Sequence, residues 1–179
     1  SAVAAIASGT AHGLTKSEYI AEFYSRFFFL VNIVGLVLQL FVVSRVIKYT
    51  GVKVGVLVLP IIAALGYTFI AFAPVLAVVR WVKTAENATD YSLQNTVRNV
   101  LFLPTSRDQK YKAKQAIDSF FVRAGDVLSA LLVLVGTSQF AFGPSQFARV
   151  NLALALVWLG LAFLVGRAYG RKTAVRAAA

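Results

Sequence analysis

Lys83, Glu86, Asp90, Gln94 and Arg98 lie on one twenty-residue stretch of an otherwise apolar chain, and Arg123 follows on a later one. These are residue types for holding an anion. Lys and Arg donate to phosphate or carboxylate oxygens, Arg as a bidentate fork, while Glu86 and Asp90 supply counter-charge when no anion is bound. At 100° per residue, Lys83, Glu86, Asn87, Asp90, Gln94 and Arg98 fall within an arc of about 120°, one stripe of a helix. Lys83 and Glu86 are three apart and Glu86 and Asp90 four apart, so a cation can sit beside two carboxylates and local pairing reduces the burial cost. The back of the helix, Ala85, Ala88, Ser92 and Thr96, is small enough for close helix approach. A charge at a bilayer centre costs about 2.5 to 3.5 kcal/mol on insertion scales. This helix is therefore expected inside a bundle, its charges either lining a polar transport path or fastening helices together as a salt-bridge network.

Other chemistries find little support. The chain has no cysteine and a single histidine, His12, so disulfides, thiolate metal sites and histidine clusters are absent and neither metal nor cofactor is expected. No Ser/His/Asp set and no phosphate-cradling glycine loop occurs, so an enzyme is not expected. A net charge of +11 raises nucleic acid as a partner, but the basic residues gather between apolar runs instead of on one polar face, which argues against it. The sequon Asn87-Ala88-Thr89 falls inside an expected span and reads as a chance match.

The elements that must position the stripe follow from composition. With 59% hydrophobic residues and a mean hydropathy of +0.74, the expected solvent is a membrane. The fold class is all-α, a polytopic helical bundle of about five transmembrane helices. Residues 1–26 form an extracytoplasmic lead-in, in which Thr15 to Glu18 cap a short interfacial helix, and residues 27–179 form the five-helix bundle. Run A covers 27–43, near the length a span requires. Gly51 marks a turn in the loop SRVIKYTGVK. Run B starts at Val54, carries Pro60 and Gly66, and ends near Pro74. Run C, the polar helix, covers 75–103. Pro104 ends it, and TSRDQKYKAK is a basic loop. Run D covers 115–137, the uncharged link SQFAFGPSQ follows, and run E covers 147–169 before the basic tail GRKTAVRAAA.

Within these runs Asp118 reads as a capping or loop-tethering residue, and Arg123 and Asp126 as a pair. Asn32 and Gln39 read as interhelical hydrogen-bonding residues, and Phe27 to Phe29 and Trp81 as interfacial anchors. If the A/B loop, the C/D loop and the tail share a side, that side holds Arg45, Lys48, Lys53, Arg107, Lys110, Lys112, Lys114, Arg167, Arg171, Lys172 and Arg176, 11 of the 18 basic residues. Lys16, Arg26, Arg80 and Arg149 lie near the opposite ends, which places the C-terminus in the cytoplasm by the positive-inside rule. Without run C as a span the alternation fails. The chain contains no methionine and begins SAVAAIASGT, which reads as a fragment or processed piece.

The stretch KTAENATDYSLQNTVRNVLFLPTSRDQKYKAKQAIDSFFVRAGDVLSALL, residues 83–132, resembles the bacterial and plastidic ATP/ADP translocase family and its relatives within the major facilitator superfamily. The matching elements are a polar helix ending in YSL, an apolar-Pro pair before a charged loop, the set Lys112, Lys114 and Asp118, and RAGDVLSALL opening the next helix. The resemblance implies helices eight to twelve of a twelve-helix transporter, with the N-terminal half as missing partner and substrate held near the midplane. It implies a secondary active transporter, an antiporter working by alternating access, in a bacterial inner membrane among lipid. The implied solute is a small organic anion such as a nucleotide, contacted by Lys83, Arg98 and Arg123. Arg98 and Asn99 stand where the family's exchangers carry a Lys-Glu pair, so one charge survives and the carboxylate is lost, closer to the less characterised relatives. The competing expectation is a non-transporting membrane anchor or sensor whose buried charges only pack.

Overall fold

Helix formation starts at Thr15. Its hydroxyl accepts from the Glu18 backbone N–H at 3.4 Å, and the Glu18 carboxylate accepts from the Thr15 backbone N–H at 2.7 Å, the reciprocal cap that the sequence implies. The computed structural model describes residues 15–178, so residues 1–14 of the expected lead-in, His12 among them, lie outside the described residues. From the cap, α1 (Lys16–Val37), a π-helical stretch π1 (Leu38–Val43) and α2 (Ser44–Phe72) follow without a gap. The expected interfacial helix and run A are thus one helix. Nothing between them breaks it, and Glu22 and Arg26, four apart, pair across that junction.

The expected A/B loop is also helical, except at Gly51. There φ is 77° and ψ 169°, a region open essentially to glycine alone. A straight helix over the 56 residues from Ser17 to Phe72 would be about 80 Å long against a hydrocarbon core of about 30 Å. The chain doubles back instead: Val43 before Gly51 packs in one cluster with Val52 and Val56 after it, together with Leu93, Val97 and Ala162.

After a break at residues 73–75 the polar helix consists of α3 (Leu76–Thr89), π2 (Asp90–Gln94) and α4 (Asn95–Leu101). The next helix is α5 (Arg107–Ala116), π3 (Ile117–Phe121) and α6 (Val122–Ser138), and the last is α7 (Pro144–Ala178). The expected loop TSRDQKYKAK is corrected to helix from Arg107 onward. The Ser106 hydroxyl caps it by accepting from the Gln109 N–H at 3.3 Å, and Asp108 pairs with Lys112 at 2.9 Å. The expected basic tail likewise continues α7. All regular structure among the described residues is helical. Ser17–Phe72, Arg107–Ser138 and Pro144–Val175 are long and apolar enough to cross a membrane. With the first divided at Gly51 and the polar helix added, the described residues form five long helical segments.

The leg of α2 beyond Gly51 and α7 make the most extensive helix pair. Small residues permit it: Ala148, Ala155 and Ala162 recur every seventh position on α7 and are buried, and a Cβ on Gly166 would lie 3.3 Å from the Lys53 carbonyl oxygen. Among lipid tails such close backbone contact, with its dispersion energy, replaces hydrophobic exclusion as the cause of association. The polar helix meets α1 and α2 along Thr84, Ala88 and Ser92, spaced by four and buried, and a Cβ on Gly35 of α1 would stand 3.7 Å from the Ala88 carbonyl oxygen. Ala88, Ser92 and half-buried Thr96 lie on this seam as expected, whereas Ala85 is exposed and Thr84 takes its place. The α5–α6 helix is held at its two ends, by Lys114 Nζ to Asn99 Oδ1 at 3.1 Å and by Phe142 and Phe147 against Gly136.

Candidate functional site

Between Val54 and Phe72 only Tyr67 and Thr68 have polar side chains. The Thr68 hydroxyl donates to the Ala64 carbonyl within its own helix at 2.7 Å, which leaves Tyr67 to turn outward. Gly66 beside it has no Cβ, and one placed there would overlap Val82 Cγ1. This close crossing of α2 and α3 delivers the phenol to the stripe. Lys83 Nζ donates to Tyr67 Oη at 2.7 Å and to Glu86 Oε2 at 2.7 Å, while Tyr67 Oη donates to Glu86 Oε1 at 3.3 Å. The ammonium also lies 4.8 Å from the Tyr67 ring centroid. The phenol therefore accepts from the cation and donates to the anion, closing a triangle that leaves one Lys83 hydrogen free. Lys83 remains 39% exposed and Glu86 20% exposed, so the cation is the more accessible of the pair.

Lys83 opens onto a cavity of about 330 Å³ between α1 and α3, lined by Phe23, Tyr24, Phe27, Leu76, Val79, Arg80 and Asn87. Two cations and one amide face three aromatic rings, and the Arg80 guanidinium carbon lies 5.9 Å from the Phe23 ring centroid. Phe27, expected as an interfacial anchor, is a buried wall of this cavity, whereas Phe28, Phe29 and Trp81 are exposed as anchors would be.

Further along, the Asn95 N–H bonds to the carbonyl of Asp90, five residues back. The π2 turn thus holds one extra residue, and everything after it is rotated relative to a straight α-helix. The expected cluster of one cation beside two carboxylates is corrected, although the helix stays α-helical up to Asp90 and it is Arg98 that the wide turn moves. Lys83 pairs with Glu86 alone, and Asp90 reaches across the wide turn to Arg98 at 3.8 Å. Gln94, inside the turn, has a buried Oε1 with no hydrogen-bond partner among the described residues. A buried acceptor without a donor is uncommon in native proteins. π1 packs directly on π2, so two widened turns face each other at mid-helix. Beside them Gln39 Nε2 donates to Thr96 Oγ1 at 3.5 Å, the interhelical bond that the sequence implies.

Arg98 is half exposed and lines a second cavity of about 330 Å³, which is bounded by the ends of the polar helix, α5–π3 and α7. Lys83 and Arg98 are fifteen residues apart, about 22 Å along the helix, so each end of the stripe opens into a cavity. The remaining expected residues lie apart from the stripe. Arg123 pairs with Asp126 at 3.9 Å, its side chain 79% exposed, with no bond to the polar helix. Lys112 holds Asp108, and Lys114 reaches Asn99 while lying 5.9 Å from the Phe102 ring centroid. Asp118 is exposed within π3 and has no ion pair among the described residues, and the cap expected of it is provided by Ser106. Sequence reasoning missed Tyr67 and Arg80. A lone phenol in an apolar run was the available signal for the first, and a cation one turn before Lys83 for the second.

The chain is similar to three proteins called ADP,ATP carrier protein 1. It is 28% identical over 171 residues to that of Chlamydia muridarum and 29% identical over 171 residues to that of Chlamydia trachomatis serovar D, in each case across 80% of this chain and 31% of the relative. It is 25% identical over 183 residues to that of Chlamydia pneumoniae, across 87% of this chain and 35% of the relative. The chain thus spans about a third of the length of the curated relatives it matches. No family model matches it, and no solved structure matches it. Carrier relatives and three helices of spanning length and hydropathy together make the chain an integral membrane protein.

Proposed function

We propose that this chain is part of a secondary active transporter of the major facilitator type, an antiporter that moves a nucleotide or a related organic anion by alternating access. One observation carries the reading: a chain similar to ADP,ATP carriers over 80% of its length or more places a stripe of ionisable groups along a helix with a cavity at each end. Ionisable residues in a membrane helix mark solute or ion paths by default. On this reading Lys83 and Arg98 are anion contacts, Glu86 and Asp90 hold them neutral between solutes, and Gln94 offers a polar step between the two pairs. The chain supplies helices eight to twelve of twelve, with residues 27–179 as its bundle and an N-terminal half as partner across the path. Arg123 contacts solute only when that half brings it there, and Lys112, Lys114 and Asp118 belong to the cytoplasmic end. The membrane is a bacterial inner membrane and the C-terminus is cytoplasmic.

A second reading is favoured by the closed Lys83–Tyr67–Glu86 triangle, in which charges satisfy one another and serve packing in an anchor or sensor. A thermal-shift screen of the complete polypeptide in detergent separates the two, using ATP, ADP, other nucleotides and small organic phosphates. The transport reading expects stabilisation by one anion class, lost in Arg98→Ala and Lys83→Ala, with unfolding temperatures of the unliganded variants unchanged. Variants that fold poorly and a protein indifferent to every anion would sink that reading and establish the packing role.

A further inference from the structure

The cavity at the basic end has a composition that solute transport does not explain. Its walls are Leu101, Phe102, Pro104, Ile117, Val165 and Ala168, and its polar groups are Arg98, Thr105, Tyr169 and Lys172. Lys172 is exposed and makes no ion pair among the described residues. Arg98 shares its charge with Asp90 at 3.8 Å, and Lys114 stands just behind the Phe102 wall. The cavity therefore presents net positive charge at one end of mainly apolar walls. Those walls continue onto open apolar surface: Leu161, Leu164 and Val165 on α7 and Phe120 and Phe121 on π3 are all about half exposed or more. A free anion would gain nothing from that surface, whereas a molecule with a phosphate head and hydrocarbon tails would use both parts. Basic pockets between transmembrane helices at the cytoplasmic side suit anionic lipid headgroups, and at about 330 Å³ the volume is at the lower end of ligand pockets.

We infer that this cavity binds an anionic glycerophospholipid, with its phosphate between Lys172 and Arg98, the Tyr169 hydroxyl at the head and the acyl chains along Leu161 and Leu164. The lipid would brace the ends of three helices, two of which, α5–π3 and α7, are otherwise only loosely joined here. This site shares Arg98 with the proposed solute path, and Lys172 is the cation it has to itself.

The test uses the complete polypeptide, delipidated in neutral detergent and followed by thermal unfolding and native mass spectrometry. Added are phosphatidylglycerol, phosphatidylcholine of matched chains, glycerol 1-phosphate or inorganic phosphate. Phosphatidylglycerol is expected to raise the unfolding temperature and to remain bound in the spectrometer, with the other three ineffective. Lys172→Ala is expected to weaken its apparent affinity about fivefold, as for one lost juxtamembrane cation. Ala168→Trp fills the cavity from an exposed position without changing charge, and is expected to abolish the effect. Equal stabilisation by phosphatidylcholine, full protection by either water-soluble phosphate, or an undiminished response in Ala168→Trp would each overturn the inference. If Ala168→Trp does not fold, an unchanged affinity in Lys172→Ala overturns it alone.

Discussion

Tyr67 decides how Lys83 and Glu86 behave. Without the phenol they would be an (i, i+3) pair on one helix, an arrangement of a few tenths of a kcal/mol. The hydroxyl turns it into a link between two helices, since it bonds to both members at 2.7 and 3.3 Å. Tyr67→Phe keeps the ring and removes both bonds, so a stability loss of about 1 to 2 kcal/mol is expected in thermal unfolding. Glu86→Gln removes the counter-charge of Lys83 and one of the two acceptor oxygens, and the double variant should lose less than the sum of the two, as a shared network requires. Strict additivity would show that the three groups do not act together. The charges themselves were legible, because ionisable residues in an apolar chain stand out at any spacing. Their pairing was not. An ideal 100° step leaves Arg98 about 80° away from Asp90, but the extra residue of π2 turns Arg98 back toward it, and no residue type announces a π turn.

The helices cross where side chains are missing. At Gly66 the backbone of α2 lies so close to Val82 that even a methyl group would overlap it, and Tyr67 next door depends on that separation. Gly66→Ala is therefore expected to destabilise the bundle by about 1 to 3 kcal/mol, the cost of overpacking a filled contact. Val82→Ala in the same chain should return most of it by removing the atoms that collide. Unfolding temperatures of the two single variants and the double variant check this, and failure of the second change to rescue the first would exclude the crossing as cause. The number and order of long helices were legible from runs of apolar residues near twenty and from Gly51. Their ends were less so, because polar residues such as Arg107 to Lys114 and Gly170 to Arg176 do not stop a helix: Ser106 caps one, and nothing interrupts the other. Glycine and proline mark chain reversals far better than charge does.

Across the whole molecule, charge and path agree. The Gly51 turn lies beside the last turns of α7, through Lys53 against Gly166 and Gly170, and Pro104 and Thr105 share a cavity with Tyr169 and Lys172. The three basic segments thus meet at one end, although they are far apart in sequence. The polar helix must therefore run the full length, from the Phe23 and Leu76 end to the Arg98 and Lys172 end, even though it falls outside the three helices that hydropathy alone selects. On the proposed orientation the positive-inside rule has the basic end facing the cytoplasm. This chain has no cysteine, so single cysteines can report its sidedness directly once any others in the complete polypeptide are replaced. Tyr49, Ser106 and Arg171 are exposed at the basic end, and Phe140 is exposed at the other. In intact cells a membrane-impermeant maleimide is expected to label Phe140→Cys and to leave Tyr49→Cys, Ser106→Cys and Arg171→Cys unlabelled until the membrane is opened. Labelling that sets Tyr49→Cys and Ser106→Cys on opposite sides would mean that the polar helix does not cross. The charges from Lys83 to Arg98 would then lie in water, where ion pairing needs no path to explain it.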